Sequence, residues 1–158
     1  MQDPTPKEMA KLRAVADYLF DRGVGRALFN DGVSIVKSKG RIRQVWSGGE
    51  PICAIRASDG FIVLNHRGAE LVHAALRPPR LRVTVDEDAA PFVAKGKSVF
   101  AKYVTAADPE IRPMEEVLVV DGKDRLLASG KALLTGEEML AFNVGRAVEV
   151  RRGSKEDG

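Results

Sequence analysis

Two adjacent prolines, Pro78 and Pro79, sit between Arg77 and Arg80 at the middle of this 158-residue chain. Proline has no amide hydrogen to give a helix, and its ring disfavours helical backbone in the residue before it. No regular element runs through this point, so the fold has to be built from a segment 1–79 and a segment 80–153. Residues 154–158 are expected to be a mobile polar tail. Domains this small bury a modest core and depend on well-formed local elements.

The first segment opens with a helix. Thr5 suits the N-cap, Pro6 the first helical position, and Glu8 completes a capping box. Met9, Leu12, Ala16, Leu19 and Phe20 follow at helical spacing, and Gly23 with Gly25 are expected to end the helix. Strands are read at Val33–Ser38, Arg41–Trp46, Ile52–Arg56 and Phe61–Leu64. The turns between the first three fall at Lys39-Gly40 and Ser47-Gly48-Gly49-Glu50. A second helix runs from about Asn65 to Leu76.

The second segment reads as a strand, Leu81–Val85, then a short helix near Ala89–Lys95 capped by Asp86 or Asp88. Val99–Val104 is expected to be extended, with Phe100 in the core. Val117–Val120 is a buried strand, and Arg125–Leu134 a long one with a bulge at Gly130. Thr135 and Glu138 form another capping box, opening a helix around Glu137–Phe142. Val148–Arg151 is the last strand.

A composition of 44% hydrophobic and 30% charged residues fits a folded chain and excludes a disordered one. Apolar runs such as Val117-Leu118-Val119-Val120 are far too short to cross a bilayer, so no membrane partner is expected. Met1-Gln2-Asp3-Pro4 has no basic flank and no apolar segment after it, so no signal peptide is expected, and the cytoplasm is the expected location. Cys53 alone closes no internal disulfide, and His66 and His73 without further ligands make no metal site. No cofactor is expected. Charge is unevenly spread: residues 1–80 hold 13 Lys/Arg against 8 Asp/Glu, and residues 81–158 hold 12 against 14. Lys37, Lys39, Arg41 and Arg43 form a tight basic cluster that suits phosphate neutralisation or, more blandly, a solvated strand face.

Several segments of the second half agree in order with a known module. They are Lys95-Gly96-Lys97-Ser98-Val99-Phe100, Asp108-Pro109-Glu110-Ile111-Arg112-Pro113, Leu118-Val119-Val120-Asp121, Leu126–Leu134, Gly136–Phe142 and Gly145–Val150. Together they resemble the PUA domain, a small RNA-binding pseudo-β-barrel with short helices, in the version that ends archaeal tRNA-guanine transglycosylase. Ala16-Asp17-Tyr18, Ala27-Leu28-Phe29, Gly40–Val45 and Arg56–Gly60 resemble the small α/β domain preceding it. Met114 departs from the pattern, which has glycine there. The implied fold is α+β, a small N-terminal α/β domain followed by the pseudo-barrel.

The resemblance implies a non-catalytic, tRNA-binding role. The family's catalytic barrel needs at least about 200 residues, and the chain does not hold its zinc ligands. The implied partners are tRNA, gripped at its acceptor stem and 3′ end, and a catalytic transglycosylase subunit. A protein–protein adaptor for an RNA-modification enzyme is the alternative. The helix and strand around Gly96 would face RNA. Lys95, Lys97, Ser98, Lys102, Tyr103, Arg112, Arg146 and Arg151 are candidates beside it, with Lys37, Lys39, Arg41 and Arg43 from the first segment. Trp46 is read as a half-buried hairpin residue, and Asp17 as a solvated helix carboxylate. The chain offers no catalytic constellation and no P-loop.

Overall fold

Helix α1 (Pro6–Leu19) begins where Thr5 and Glu8 close their reciprocal cap. The Thr5 hydroxyl accepts from Glu8 N at 3.1 Å, and the Glu8 carboxylate accepts from Thr5 N at 2.9 Å. The computed structural model describes residues 1–155, in two units, Met1–Leu76 and one starting at Arg77. In the first unit, α1 buries Leu12 and Ala16, and its C-cap residue Phe20 continues the buried stripe at spacing four.

The helix stops at Leu19, before the glycines expected to end it. Gly23 (φ 95°) instead opens a further short helix, α2 (Val24–Leu28), absent from the sequence reading. Asp17 is the cause. Its carboxylate accepts from Gly23 N at 3.2 Å and Gly25 N at 2.7 Å, so it pins the corner between the two helices. It is therefore not a merely solvated side chain.

Four antiparallel strands follow in chain order: β1 (Ser34–Ser38), β2 (Arg41–Ser47), β3 (Glu50–Ile55) and β4 (Ile62–Leu64). The two tight turns have positive φ at both central residues, Lys39-Gly40 (54° and 76°) and Gly48-Gly49 (61° and 83°). That is the hairpin geometry whose twist matches the strands. Helix α3 (His66–Ala75) closes the unit. Cys53 is fully buried beside Ile52 in the core, and burial pushes its thiol up, away from reactivity. Trp46 is half-buried, with its indole N–H on Gln44 Oε1 at 3.0 Å.

The second unit contains β5 (Arg82–Val85), α4 (Ala90–Ala94), β6 (Val99–Phe100), β7 (Val104–Ala107), β8 (Glu116–Val120), β9 (Leu126–Ala132), α5 (Gly136–Ala141) and β10 (Arg146–Gly153). Its six-stranded sheet runs β6-β10-β9-β8-β5-β7, and β5–β8 is the parallel pair. The sheet curls into a nearly closed pseudo-barrel, and the α+β fold is the one expected. Val83, Val93, Val99, Ile111, Val119, Met139 and Val148 fill its interior. Neither Asp86 nor Asp88 is the cap of α4: the N-cap is Ala89, with no side-chain cap, and Asp86 instead accepts from Ala89 N at 2.9 Å in the turn before the helix.

Three expectations need correction. Val99–Val104 is not continuous strand: Ala101–Tyr103 form a 3₁₀ turn between β6 and β7, and Phe100 lies 47% exposed rather than in the core. The bulge lies on β10, where Arg151 is the extra residue opposite Ser129 and Gly130. A Cβ on Gly130 would collide with the Glu149 carbonyl oxygen, so the glycine permits the close approach. Residues 154 and 155 are tied down: Ser154 N donates to Leu127 O at 2.8 Å and Lys155 N to Ala94 O at 2.7 Å. The rest of the expected tail, 156–158, lies outside the described residues.

The Asp108–Pro113 loop has a structural job. Asp108 is 2% exposed; its carboxylate accepts from Leu81 N at 2.8 Å, Glu110 N at 2.9 Å and Arg80 Nη1 at 3.3 Å. Met114 holds φ 78°, a left-handed backbone that glycine takes without strain, and its side chain is exposed.

Candidate nucleic-acid interface

The turn after α4 is built from backbone. Gly96 takes φ 101°, its N–H reaches Val93 O at 2.9 Å, and Lys97 N reaches Phe92 O at 3.1 Å. Strand β10 and the residues just after it brace the turn. Lys155 N bonds Ala94 O, Val150 N donates to the Ser98 hydroxyl at 3.4 Å, and Gly153 packs so closely that a Cβ there would strike the Ala94 carbonyl oxygen. The side chains of Lys95 and Lys97 are left exposed on a fixed support. Ser98 is engaged in holding the turn.

Further cations gather around the two-residue edge strand that follows. Arg146 of β10 pairs with Phe100 of β6 in the sheet, and Ala101 N bonds Gly145 O at 2.9 Å. Lys102 sits 5.1 Å from the centroid of the Tyr103 ring, a cation–π distance. Tyr103 itself is half-buried against the barrel core. Among the described residues, Lys95, Lys97, Lys102 and Arg146 have no acidic partner. Phe92, Phe142 and Val144 are exposed, at 62%, 43% and 80%.

Arg151 differs from these four. It sits in the bulge, half-buried, in an ion pair with Glu116. Arg112 is exposed in the loop before β8, where its N–H donates to Glu115 Oε1 at 2.6 Å, and no pairing brings it to β6.

The basic cluster of the first unit also divides. Lys37 Nζ lies 2.7 Å from Glu8 Oε2. That contact, with the Thr5 N–H, holds the Glu8 carboxyl below its ordinary value. Lys39 sits in the β1–β2 turn. Arg41 and Arg43 line a cleft of about 610 Å³, with Lys11 of α1 and Arg56 after β3. The sequence reading missed Lys11 and Arg56. Their only signal was the position of Lys11 on the polar side of α1 and of Arg56 beside the Ser58-Asp59-Gly60 turn.

No group of His, Cys, Asp and Glu among the described residues suits a metal, and no helix is long and apolar enough to cross a membrane.

Residues 81–154 match the PUA domain, and residues 10–79 match the patch-forming domain C2 of tRNA-guanine transglycosylase. The chain is a PUA-domain protein. It is homologous to the C-terminal region of archaeal tRNA-guanine(15) transglycosylases. It is 47% identical over 153 residues to that of Methanothermobacter thermautotrophicus, which covers 96% of this chain and 23% of the relative. The Pyrococcus furiosus protein is 48% identical over 145 residues, 92% of this chain and 25% of the relative. The chain thus spans about a quarter of the length of the curated relatives it matches. A hypothetical protein of Pyrococcus horikoshii OT3 superposes with a TM-score of 0.77 at 26% identity, covering 99% of this chain and 95% of that one. A conserved PUA domain protein from Thermoplasma acidophilum has a TM-score of 0.69 at 22% identity, with the same coverage, and bears on the fold alone. The PUA unit holds β6 and the four cations without an acidic partner, and the C2 unit holds the cleft.

Proposed function

We propose that this PUA-domain protein is a non-catalytic RNA-binding accessory of tRNA modification, working in the cytoplasm beside the catalytic part of a tRNA-guanine transglycosylase. The observation that carries this reading is the set of cations without an acidic partner among the described residues, Lys95, Lys97, Lys102 and Arg146, around edge strand β6. Cations on a rigid backbone support neutralise phosphates and release counterions. The bound RNA is tRNA, held at its acceptor stem and 3′ end. Single-stranded ends splay their bases for stacking, and exposed Phe92, Phe100 and Phe142 offer apolar surface in the same unit. Filter binding with transcribed tRNA tests this. Affinity should fall steeply with salt and drop when the 3′ end is trimmed. Equal binding to any RNA duplex refutes the tRNA assignment.

The same exposed aromatics favour a second reading, a protein–protein adaptor that docks the modification enzyme. Charge reversal at Lys95, Lys97 and Lys102 separates the two. Loss of tRNA with the transglycosylase catalytic part still captured supports RNA binding; loss of that capture with tRNA retained supports the adaptor.

A further inference from the structure

The cleft of the C2 unit has two chemical zones. Leu12 and Val15 of α1, Ile42 of β2, Ile55 at the end of β3 and Ile62 of β4 line it with apolar side chains. Lys11, Arg41, Arg43 and Arg56 line it with cations, and Glu8 and Asp59 are its acids.

Both acids are already answered. Glu8 holds Lys37, which stands outside the lining. Asp59 grips Arg56 through two oxygens, with Arg56 Nε at 3.2 Å from Oδ1 and Nη2 at 2.9 Å from Oδ2. Lys11, Arg41 and Arg43 have no acidic partner among the described residues. The cleft therefore carries three uncompensated positive charges over an apolar lining.

Arg56 is more than a charge. The fork on Asp59 fixes its guanidinium, and the group lies 5.8 Å from the centroid of the Phe61 ring. A guanidinium held flat and already neutralised is a stacking plane, and unstacked RNA bases stack on such planes. A volume of about 610 Å³ falls within the range of small-ligand sites.

We propose that this cleft seats one unstacked nucleotide of single-stranded RNA. The base lies on the apolar lining against Arg56, and the flanking phosphates meet Lys11, Arg41 and Arg43. An acidic peptide would use the rim and leave the apolar lining and the Arg56 plane without a partner. A regular duplex keeps its bases stacked inside and has none to insert. The inference rests on the RNA-binding reading above but assigns a separate site.

The test is an amide-shift titration of the isotope-labelled full chain with single-stranded hexauridylate, a blunt RNA duplex and hexaglutamate. Hexauridylate should shift the amides of Gly40–Arg43 and Ala57–Gly60, and neither other probe should match it. The paired Arg41→Glu and Arg43→Glu variant should weaken hexauridylate about tenfold or more. Arg56→Lys keeps the charge and loses the plane, and should weaken it by about tenfold. Thermal melts check that each variant is folded. The Lys95→Glu, Lys97→Glu, Lys102→Glu protein should keep these cleft shifts while losing tRNA affinity. If that protein keeps its tRNA affinity, the β6 interface fails and the cleft stands. If hexauridylate leaves the cleft amides unmoved, if duplex or hexaglutamate moves them equally, or if the Arg41, Arg43 variant binds as the native chain does, the cleft proposal is overturned.

Discussion

Replacing Lys95, Lys97 and Lys102 together with alanine is the sharpest perturbation of the proposed interface. Each cation that displaces a counterion adds about 0.7 to 0.9 to the slope of log affinity against log salt. Lys95, Lys97, Lys102 and Arg146 together account for a slope of about −3. A fourfold rise in salt then weakens tRNA binding about sixtyfold through this edge. With Arg146 alone remaining, the slope is about −1 and the loss only about fourfold. The three lysines are exposed and unpaired, so the melting temperature should barely move.

Arg151→Ala is the control that gives the assay its power. Arg151 lies on the same strand as Arg146 but is already held by Glu116. Its removal leaves Glu116 without that cation and should cost stability while leaving the salt slope unchanged. Fluorescence anisotropy on labelled tRNA at four or more salt concentrations reads the slopes directly. A triple variant with the native slope, or an Arg151→Ala slope reduced as much as the triple's, refutes the assignment of free and engaged cations.

Asp108→Ala strips the acceptor from two backbone N–H groups and the Arg80 guanidinium at a buried site, and should destabilise the PUA unit by roughly 3 kcal/mol in urea unfolding; a loss under about 1 kcal/mol would mean the loop re-satisfies itself. Burial pushes the Asp121 carboxyl up, but the Arg125 and Lys123 N–H groups and the Arg125 guanidinium overcome this and hold it low; Asp59 is held low by the Phe61 N–H and then by Arg56. A carboxyl lowered on folding stabilises above its unfolded value and loses that contribution as pH falls through its folded value, so the Asp121→Asn protein should show a shallower loss of melting temperature below about pH 4 than the native chain. Met114→Gly relieves a left-handed backbone that costs a side-chain-bearing residue about 1–2 kcal/mol, against about 0.5–1 kcal/mol of added chain entropy, so a gain of about 0.5 kcal/mol is expected from the same unfolding assay. A destabilised Met114→Gly protein would mean the Met114 side chain makes a packing contribution despite its exposure.

What the sequence made legible was local. Both capping boxes formed, because Thr5 with Glu8 and Thr135 with Glu138 carry their whole signal within one turn. The turns at Lys39-Gly40 and Gly48-Gly49 formed for the same reason. Helix α2 was invisible because five residues have no periodicity of their own, and the Asp17 carboxylate that fixes its start lies outside it. The break after Phe100 carries no glycine or proline; it depends on Ala101 bonding Gly145, far along the chain. At the candidate site, the lysines around Gly96 could be read off the sequence, but their availability could not. Arg151 and Glu116 are 35 residues apart, and nothing local reveals that one engages the other.

The same distinction explains how a segment with more acids than bases can present a cationic edge. Seven of its twelve described carboxylates are tied to local work, Asp124 to Arg82 among them. Asp86 accepts from Ala89 N just before α4, Glu138 caps α5, Glu115 takes the Arg112 N–H, and Asp108 and Asp121 each hold two backbone N–H groups. Glu116 holds Arg151. These anions sit against amide dipoles or a guanidinium, which offsets their field, and salt screens what remains over about 8–10 Å. The lysines around β6 have no such partners. A polyanion approaching that edge meets the unpaired charge first, so local pairing, and not the summed charge of the segment, decides the sign it encounters.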